Sequence, residues 1–280
     1  MANLLERLQD TVSYIRSSCD IQPPIGIILG SGLGNLASEI VVEKAFSYAD
    51  IPHFPVSTVK GHDGKLIFGR LNNVPVLAMS GRFHYYEGYS PAEVAYPVRA
   101  MQALGVETLL LSNAAGSVNP DYEVGDLVII KDHISFFTIN PLIGPNEEAI
   151  GPRFPDMSEP YNKAIIAIAK RIAADYGFKM HEGVYTGVTG PTFETRAEYQ
   201  LIKAVGGDVV GMSTVQEVIA AVHAGMKTFC VSVVTDIGIR EDDNIITHEE
   251  VLAAAKAAEP KLTTLFKELA RELQRGAELC

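Results

Sequence analysis

Cysteine is scarce in this chain: Cys19, Cys230 and Cys280 are scattered and form no Cys-x-x-Cys pair. That excludes a disulfide framework and a thiolate zinc site, and it suits a reducing compartment, the cytoplasm. Long apolar runs are missing too; none reaches the roughly 18 residues of a membrane span. Positive charge is in short supply, with 23 Lys and Arg against 34 Asp and Glu and a net charge of −11. Such a balance argues against nucleic-acid and anionic-membrane partners. The seven histidines show no i, i+4 pair on a helix, so no metal site is expected. There is no Gly-x-Ser-x-Gly elbow, no Walker lysine, no internal repeat and no low-complexity linker. The chemistry therefore has to rest on positioning an external nucleophile.

What is present is a large potential core, with 47% hydrophobic residues in 280. Residues 1–280 read as a single domain of class α/β, with strands and helices in alternation. Met1 to Ser18 carries Leu4, Leu5, Leu8, Val12 and Ile15 at helical spacing, an amphipathic helix rather than a signal peptide. Strands are expected at Ile25–Leu29, Lys65–Gly69, Val74–Met79, Thr108–Leu111, Leu127–Ile130, Gly183–Val188, Asp208–Gly211 and Thr228–Val234. Lys65–Gly69 and Val74–Met79 form a hairpin pair across Asn72-Asn73. Helices are expected at Pro91–Leu104 with Ser90 as cap, Ala164–Tyr176, Thr195–Val205 and Thr214–Ala224. The region His248–Leu273 reads as one or two helices, with Pro260 as the break. Asn140 to Pro160 is irregular and holds five prolines, a long loop of the kind that serves a site or an interface.

The densest chemistry lies in Gly81-Arg82-Phe83-His84-Tyr85-Tyr86-Glu87-Gly88-Tyr89, directly after the strand ending at Ser80. Open α/β sheets bind ligands at the C-terminal ends of their strands. Arg82 offers a rigid fork for a phosphate or carboxylate, and His84 a second donor. Gly30-Ser31-Gly32-Leu33-Gly34 follows a strand, and its spacing does not match a dinucleotide fingerprint. It reads either as a tight turn or as a turn presenting N–H groups to an anion. His62 in Gly61-His62-Asp63-Gly64 is either a turn residue or a third anion donor on a closing loop. Ser112-Asn113-Ala114-Ala115-Gly116-Ser117 follows a strand, where small side chains either admit a ligand to the main chain or ease a helix crossing. In Gly190-Pro191-Thr192-Phe193-Glu194-Thr195, Phe193 can stack a flat heterocycle and Glu194 can accept N–H donors, or Thr192 or Glu194 can cap the next helix. Ser213 is an N-cap, an anion ligand or both; Met212 is core or a soft contact under a sugar. Thr235 and Asp236 close an apolar strand, where a carboxylate is rarely there for stability. His248 on its own reads as a surface or cap residue.

Taken together these motifs resemble the trimeric purine nucleoside phosphorylase family, which includes the methylthioadenosine phosphorylases. The likeness runs from Ile25 to about Val251 and rests on GSGLG, GHDG, GRFHYYEGY, SNAAG, GPTFET, VVGMST and a His-Glu-Glu near the end. The resemblance implies a nucleoside phosphorylase fold, with a central mixed, partly barrel-like sheet flanked by helices. It implies phosphate binding by Ser31, His62, Arg82, His84, the Ala114 main chain and Ser213. Tyr86, Met212 and His248 would contact the ribose, His248 at the 5′-hydroxyl, together with Phe154 reaching in from a neighbouring subunit of a homotrimer. Phe193, Glu194, Val210, Thr235 and Asp236 would form the base pocket, and His84, Glu194 and Asp236 would carry catalysis. The implied substrates are a purine nucleoside and inorganic phosphate, with no cofactor, no metal and no nucleic-acid or membrane partner.

Two positions depart from the family pattern. The usual 6-oxopurine members carry Asn where this chain has Asp236; adenosine-type relatives carry Asp there but replace the counterpart of Glu194. Here both carboxylates are present. Glu194 favours inosine and guanosine, whereas Asp236, ionised, would accept from a 6-amino group and, protonated, would donate to N7 or O6. Ser117 stands where many relatives have a second Gly, with an expected effect on the main chain near the sugar. The alternative activity is a methylthioadenosine or adenosine phosphorylase. A silent nucleoside-binding protein and a nucleoside hydrolase fit less well, because the anion-donor set is complete.

Overall fold

The computed structural model describes residues 3–30, 34–59, 63–239 and 246–278. Ser31 and His62, and with them the bodies of the GSGLG and GHDG motifs, lie outside the described residues.

In chain order the elements are α1 (Leu4–Arg16), β1 (Ile25–Ile28), α2 (Asn35–Ser38), β2 (Val41–Ser47), β3 (Lys65–Leu71), β4 (Val74–Ser80), α3 (Pro91–Ala103), β5 (Thr108–Ser117) and β6 (Leu127–Ile134). Then follow α4 (Lys163–Asp175), β7 (Met180–Gly187), α5 (Arg196–Ala204), β8 (Val209–Gly211), α6 (Val215–His223), β9 (Lys227–Ile237) and α7 (His248–Glu278). The expected alternation holds. Asn72 and Asn73 take φ of 53° and 67°, the left-handed pair that a two-residue hairpin turn needs. Ser90 caps α3 as expected, its Oγ accepting the Glu93 N–H, with Pro91 in the first turn.

The described strands form one nine-stranded mixed sheet in the order β2-β3-β4-β1-β5-β8-β7-β6-β9, with β9 also pairing back to β5. That last pairing closes β5, β8, β7, β6 and β9 into a ring, so one half of the sheet is a barrel and the other half an open extension. The strand shared by both halves is β5. Its first residues run parallel to β1 and β9, and its end (Gly116, Ser117) meets β8 in antiparallel register. Sequence reading ended this strand at Leu111; it continues through the small residues to Ser117, because both flanks supply partners. Gly116 sits where the β5–β9 register shifts, and a Cβ there would lie 2.7 Å from Asp236 Oδ2. Any side chain would displace that carboxylate.

One further expectation is corrected. Pro260 does not break α7, which runs unbroken from His248 to Glu278. A helix-interior Pro costs roughly 3 kcal/mol. Leu262, Leu265, Phe266 and Leu269 are all 0% exposed, and at about 1.5–3 kcal/mol each for burial they outweigh it. The strand β2 and the short helix α2 went unpredicted. Among the described residues, no helix is long and apolar enough to cross a membrane.

Because β1, β4, β5 and β9 run parallel, their C-terminal ends gather at one edge of the sheet. The residues that follow those ends are therefore brought together from four distant parts of the chain.

Candidate active site

A cavity of about 340 Å³ opens at that edge. Its walls come from Gly30 after β1, Arg82, His84 and Tyr86 after β4, Asn113 to Gly116 of β5, Phe193 and Glu194 before α5, Val210 to Ser213 at β8, Thr235 and Asp236 of β9, and His248 and Val251 of α7. The volume falls within the usual range for small-molecule sites.

Arg82 is buried (1% exposed) and its fork is locked. Nε and Nη2 donate to the two oxygens of Glu217 at 2.9 and 3.0 Å, and Nη1 donates to the Ser112 carbonyl at 2.6 Å. The Glu217 side chain is itself only 3% exposed. This pair holds the cation within the wall at a fixed angle. His84 Nδ1 lies 2.9 Å from Glu87 Oε1, which also accepts the His84 main-chain N–H at 2.8 Å. The other Glu87 oxygen accepts from the N–H and hydroxyl of Thr58 at 2.8 and 2.6 Å. Burial pushes the Glu87 carboxyl up, but the bonds from His84 and Thr58 outweigh it and hold the group at about 2. A carboxylate so firmly ionised orients the imidazole, and the His84 ring stacks on Tyr86 at 4.7 Å between centroids.

Ser213 is not the N-cap of α6. That position falls on Thr214, whose N–H donates to Glu217 Oε2 at 2.8 Å. Thr214 has φ of 73°, a strained state for a β-branched residue that costs on the order of 1–3 kcal/mol. It is held there by Glu217 and by Asn113 Nδ2, which donates to its hydroxyl at 2.9 Å. The Ser213 hydroxyl lies 3.2 Å from the Thr214 hydroxyl and lines the cavity. Glu217 thus fixes both Arg82 and the turn that carries Ser213.

At the opposite end lie Phe193 and Glu194. The capping alternative for this segment is settled by Thr195, whose hydroxyl accepts the Glu198 N–H while Glu198 accepts the Thr195 N–H. Neither Thr192 nor Glu194 is needed to start α5, and Glu194 faces the cavity. Burial raises its pKa, and the Asp236 carboxylate raises it further. Asp236 is 9% exposed, with Oδ1 3.0 Å from the Thr235 hydroxyl. Asp236 pairs with Gly116 beside Glu194, whereas Arg82 is bonded at Ser112, four residues earlier on β5, so two carboxylates line one part of the cavity and a guanidinium, with an imidazole and a serine hydroxyl, another. Tyr86, Met212 and His248 lie on the same walls. Such a space can hold an anion at one end and a flat ring bearing N–H groups at the other.

Phe154 is not part of this cavity; it is 89% exposed, with the Arg153 guanidinium 5.7 Å over its ring. Ser117 also stays outside, its hydroxyl donating to the Asn119 carbonyl at 3.1 Å. Sequence reasoning missed Glu217, Val59, Val251 and the part played by Glu87. The one available signal for Glu217 was Thr214-x-x-Glu217, which reads as an ordinary helix start. Among the described residues, no group of three or more His, Cys, Asp and Glu is placed to hold a metal ion.

The model of the phosphorylase superfamily matches residues 24–271. The chain belongs to the phosphorylase superfamily. Within that family it is similar to purine nucleoside phosphorylase 1 of Geobacillus stearothermophilus, 48% identical over 96% of this chain and 98% of that protein. A crystal structure of Schistosoma purine nucleoside phosphorylase in complex with hypoxanthine superposes with a TM-score of 0.90 at 42% identity, over 96% of this chain and 98% of that one. The Schistosoma mansoni purine nucleoside phosphorylase in complex with adenosine gives a TM-score of 0.90 at 43% identity, over 95% and 96%. The closed half of the sheet, with helices around it, is thus the phosphorylase superfamily architecture in this chain.

Proposed function

We propose that this superfamily member is a purine nucleoside phosphorylase, a pentosyltransferase that exchanges the purine of a ribo- or deoxyribonucleoside for inorganic phosphate. The observation that carries the reading is the polarity of one cavity, with Arg82, His84 and Ser213 at one end and Phe193, Glu194 and Asp236 at the other. A phosphate oxygen adds to C1′ while the bond from C1′ to N9 of the purine breaks. The electron pair of that bond leaves with the base, and a proton reaches N7. The products are ribose 1-phosphate and free purine. Positive charge builds on the sugar and negative charge on the base, so a fixed anion beneath C1′ and a donor near N7 lower the barrier. No covalent enzyme nucleophile is required, and phosphate is the co-substrate; the reading assigns no step to a metal or organic cofactor.

Arg82, His84, the Ala114 main chain and Ser213 take the phosphate, joined by Ser31 and His62. Tyr86, Met212 and His248 take the sugar. Phe193 stacks the base, Glu194 accepts N1–H and a 2-amino group, and Val210 and Thr235 line the pocket. Asp236, protonated, donates to N7. On this assignment 6-oxopurine nucleosides are preferred and adenosine is tolerated. The methylthioadenosine alternative is not favoured by the relatives, which are named as purine nucleoside phosphorylases. In the same reading the enzyme is cytoplasmic and serves purine salvage. It works as a homotrimer in which Phe154 completes a neighbour's ribose site; Phe136, Ile143 and Phe154, 90%, 74% and 89% exposed, are apolar surface suited to that contact.

The test is base release from inosine, guanosine and adenosine with and without phosphate, followed by chromatography, with the mass in solution measured alongside. Release that needs phosphate, fastest on the 6-oxopurines, from a particle of three 30.3 kDa chains is expected. Release at the same rate without phosphate would make the protein a hydrolase and end the proposal.

A further inference from the structure

Ser213 brings a hydroxyl to the cavity wall, and a hydroxyl that serves an anion must point its proton at it. Which way that proton points is set by the groups behind it. The Ser213 N–H donates to the buried Tyr185 phenol at 3.3 Å, which holds the main chain. Ser213 Oγ lies 3.2 Å from Thr214 Oγ1, a pair in which either hydroxyl can be the donor. Thr214 is 1% exposed, and Glu217 holds its main chain, so its hydroxyl has no access to water.

Asn113 removes the ambiguity. It stands on β5 one residue before Ala114 and is 1% exposed. Its Nδ2 donates to Thr214 Oγ1 at 2.9 Å and reaches Cys230 Sγ at 3.5 Å. An amide N–H only donates, so Thr214 Oγ1 is the acceptor in that bond and its own proton goes to another group. Two are near, the Ser213 oxygen and the Cys230 sulfur. Burial pushes the Cys230 thiol up, so the sulfur keeps its proton, and a thiol sulfur is a weak acceptor. The Thr214 proton therefore goes to Ser213, and the Ser213 proton is left for the cavity. The Tyr185 phenol, also kept protonated by burial, meets the Ser213 hydroxyl from behind as well.

We propose that Asn113 is a positioning residue for phosphate: through Thr214 it orders a one-way chain of hydrogen bonds, amide to threonine to serine, that leaves the Ser213 proton aimed at the anion. The proposal rests on the phosphorylase reading and deepens its phosphate site. It expects a loss confined to phosphate, because in that reading Ser213 serves the anion, while Phe193, Glu194 and Asp236 serve the base.

Steady-state KM values for phosphate and inosine test it, measured on the wild-type chain, S213A, N113A, T214V, T214S and the doubles S213A/N113A and S213A/T214V, with thermal unfolding of each. S213A is expected to raise the phosphate KM roughly tenfold, the weight of one hydrogen bond to a charged group. N113A and T214V raise it about three- to tenfold, and KM for inosine moves by less than about twofold throughout. T214S, which keeps the hydroxyl, recovers most of the loss seen in T214V. On the S213A background, where no serine proton is left to aim, N113A and T214V add nothing. Should N113A or T214V not fold, the other carries the comparison. Additive losses on that background, or equal shifts for both substrates, overturn the role of Asn113 alone. So does a phosphate KM that N113A leaves unmoved or lowers, the result of a reversed amide with its oxygen on Thr214. Absence of phosphate-dependent turnover in the wild-type chain overturns the functional reading and this proposal with it.

Discussion

The two ends of the cavity are built in different ways. At the anion-facing end, Arg82 and Glu217 are paired with side chains 1% and 3% exposed, and Thr214 is held at a left-handed φ by two hydrogen bonds. At the base-facing end, Phe193 is 41% exposed and stands on the segment between β7 and α5, beside the half-buried Glu194. The first end is made from strand termini and bonds that span the fold, so its geometry is part of the core and is preorganised for a charge. The second draws Phe193 and Glu194 from a loop and Val210, Thr235 and Asp236 from barrel strands, so only the loop pair can change without disturbing the barrel. Binding an anion common to every substrate calls for rigidity; choosing among bases calls for side chains that can vary.

This contrast can be broken by removing one carboxylate from each end. Glu194→Gln should cause the largest loss of activity. Gln keeps one carbonyl oxygen for one N–H, so one hydrogen bond to a charged acceptor is lost, at about 1.5–3 kcal/mol, and its amide faces the second donor, which together correspond to roughly 10²-fold in kcat/KM for guanosine. Stability should stay within about 0.5 kcal/mol of the parent. The variant also tests the pH dependence. Burial first and Asp236 next raise the Glu194 pKa, and on the proposed reading only its ionised form accepts the base N–H groups. As pH falls through that raised value, kcat/KM should fall, with the acid limb above the ordinary carboxylate value of 4.5. Glu194→Gln should abolish the limb; an unchanged acid limb in the variant would assign it to another group.

Glu217→Ala should reverse the pattern. Leaving the Arg82 guanidinium buried without its partner costs about 3–5 kcal/mol of folding stability, measurable by denaturant unfolding. A loss below about 1 kcal/mol would contradict the rigid-end account. The smallest effect is expected from Asp236→Asn, which keeps a donor for N7 but removes the carboxylate that accepts a 6-amino group. The ratio of kcat/KM for inosine to that for adenosine should rise about tenfold and lose its pH dependence, in line with one charge-assisted hydrogen bond. A ratio and a pH profile both unmoved would remove Asp236 from base selection.

Much of the site was legible because its residues cluster in short motifs next to strands that announce themselves. Val74 to Met79 is a continuous apolar run, which by itself places Arg82 and His84 just past a strand end. Glu194 and Ser213 each carried two meanings in the sequence. Neighbouring residues resolved them, since Thr195 and Thr214 occupy the capping positions. The strand β2 was invisible because only Phe46 and partly Lys44 turn away from solvent, so no alternating apolar stripe marks it. The extension of β5 was missed because Ser112 to Ser117 is too small and polar to read as a strand; partners on both sides make it one.

By itself the amino-acid order determined the alternation of elements, the hairpin at Asn72-Asn73, the helix starts, and which motifs bear cations and carboxylates. Those features depend on backbone preferences and side-chain spacing over a few residues. Only the tertiary structure decided that β9 returns to β5, that Glu217 meets Arg82 across 135 positions and that Glu259 meets Asn35 across 224. Local periodicity carries no information about which distant partner a buried charge will find; that choice is made when the sheet closes and desolvates both groups together.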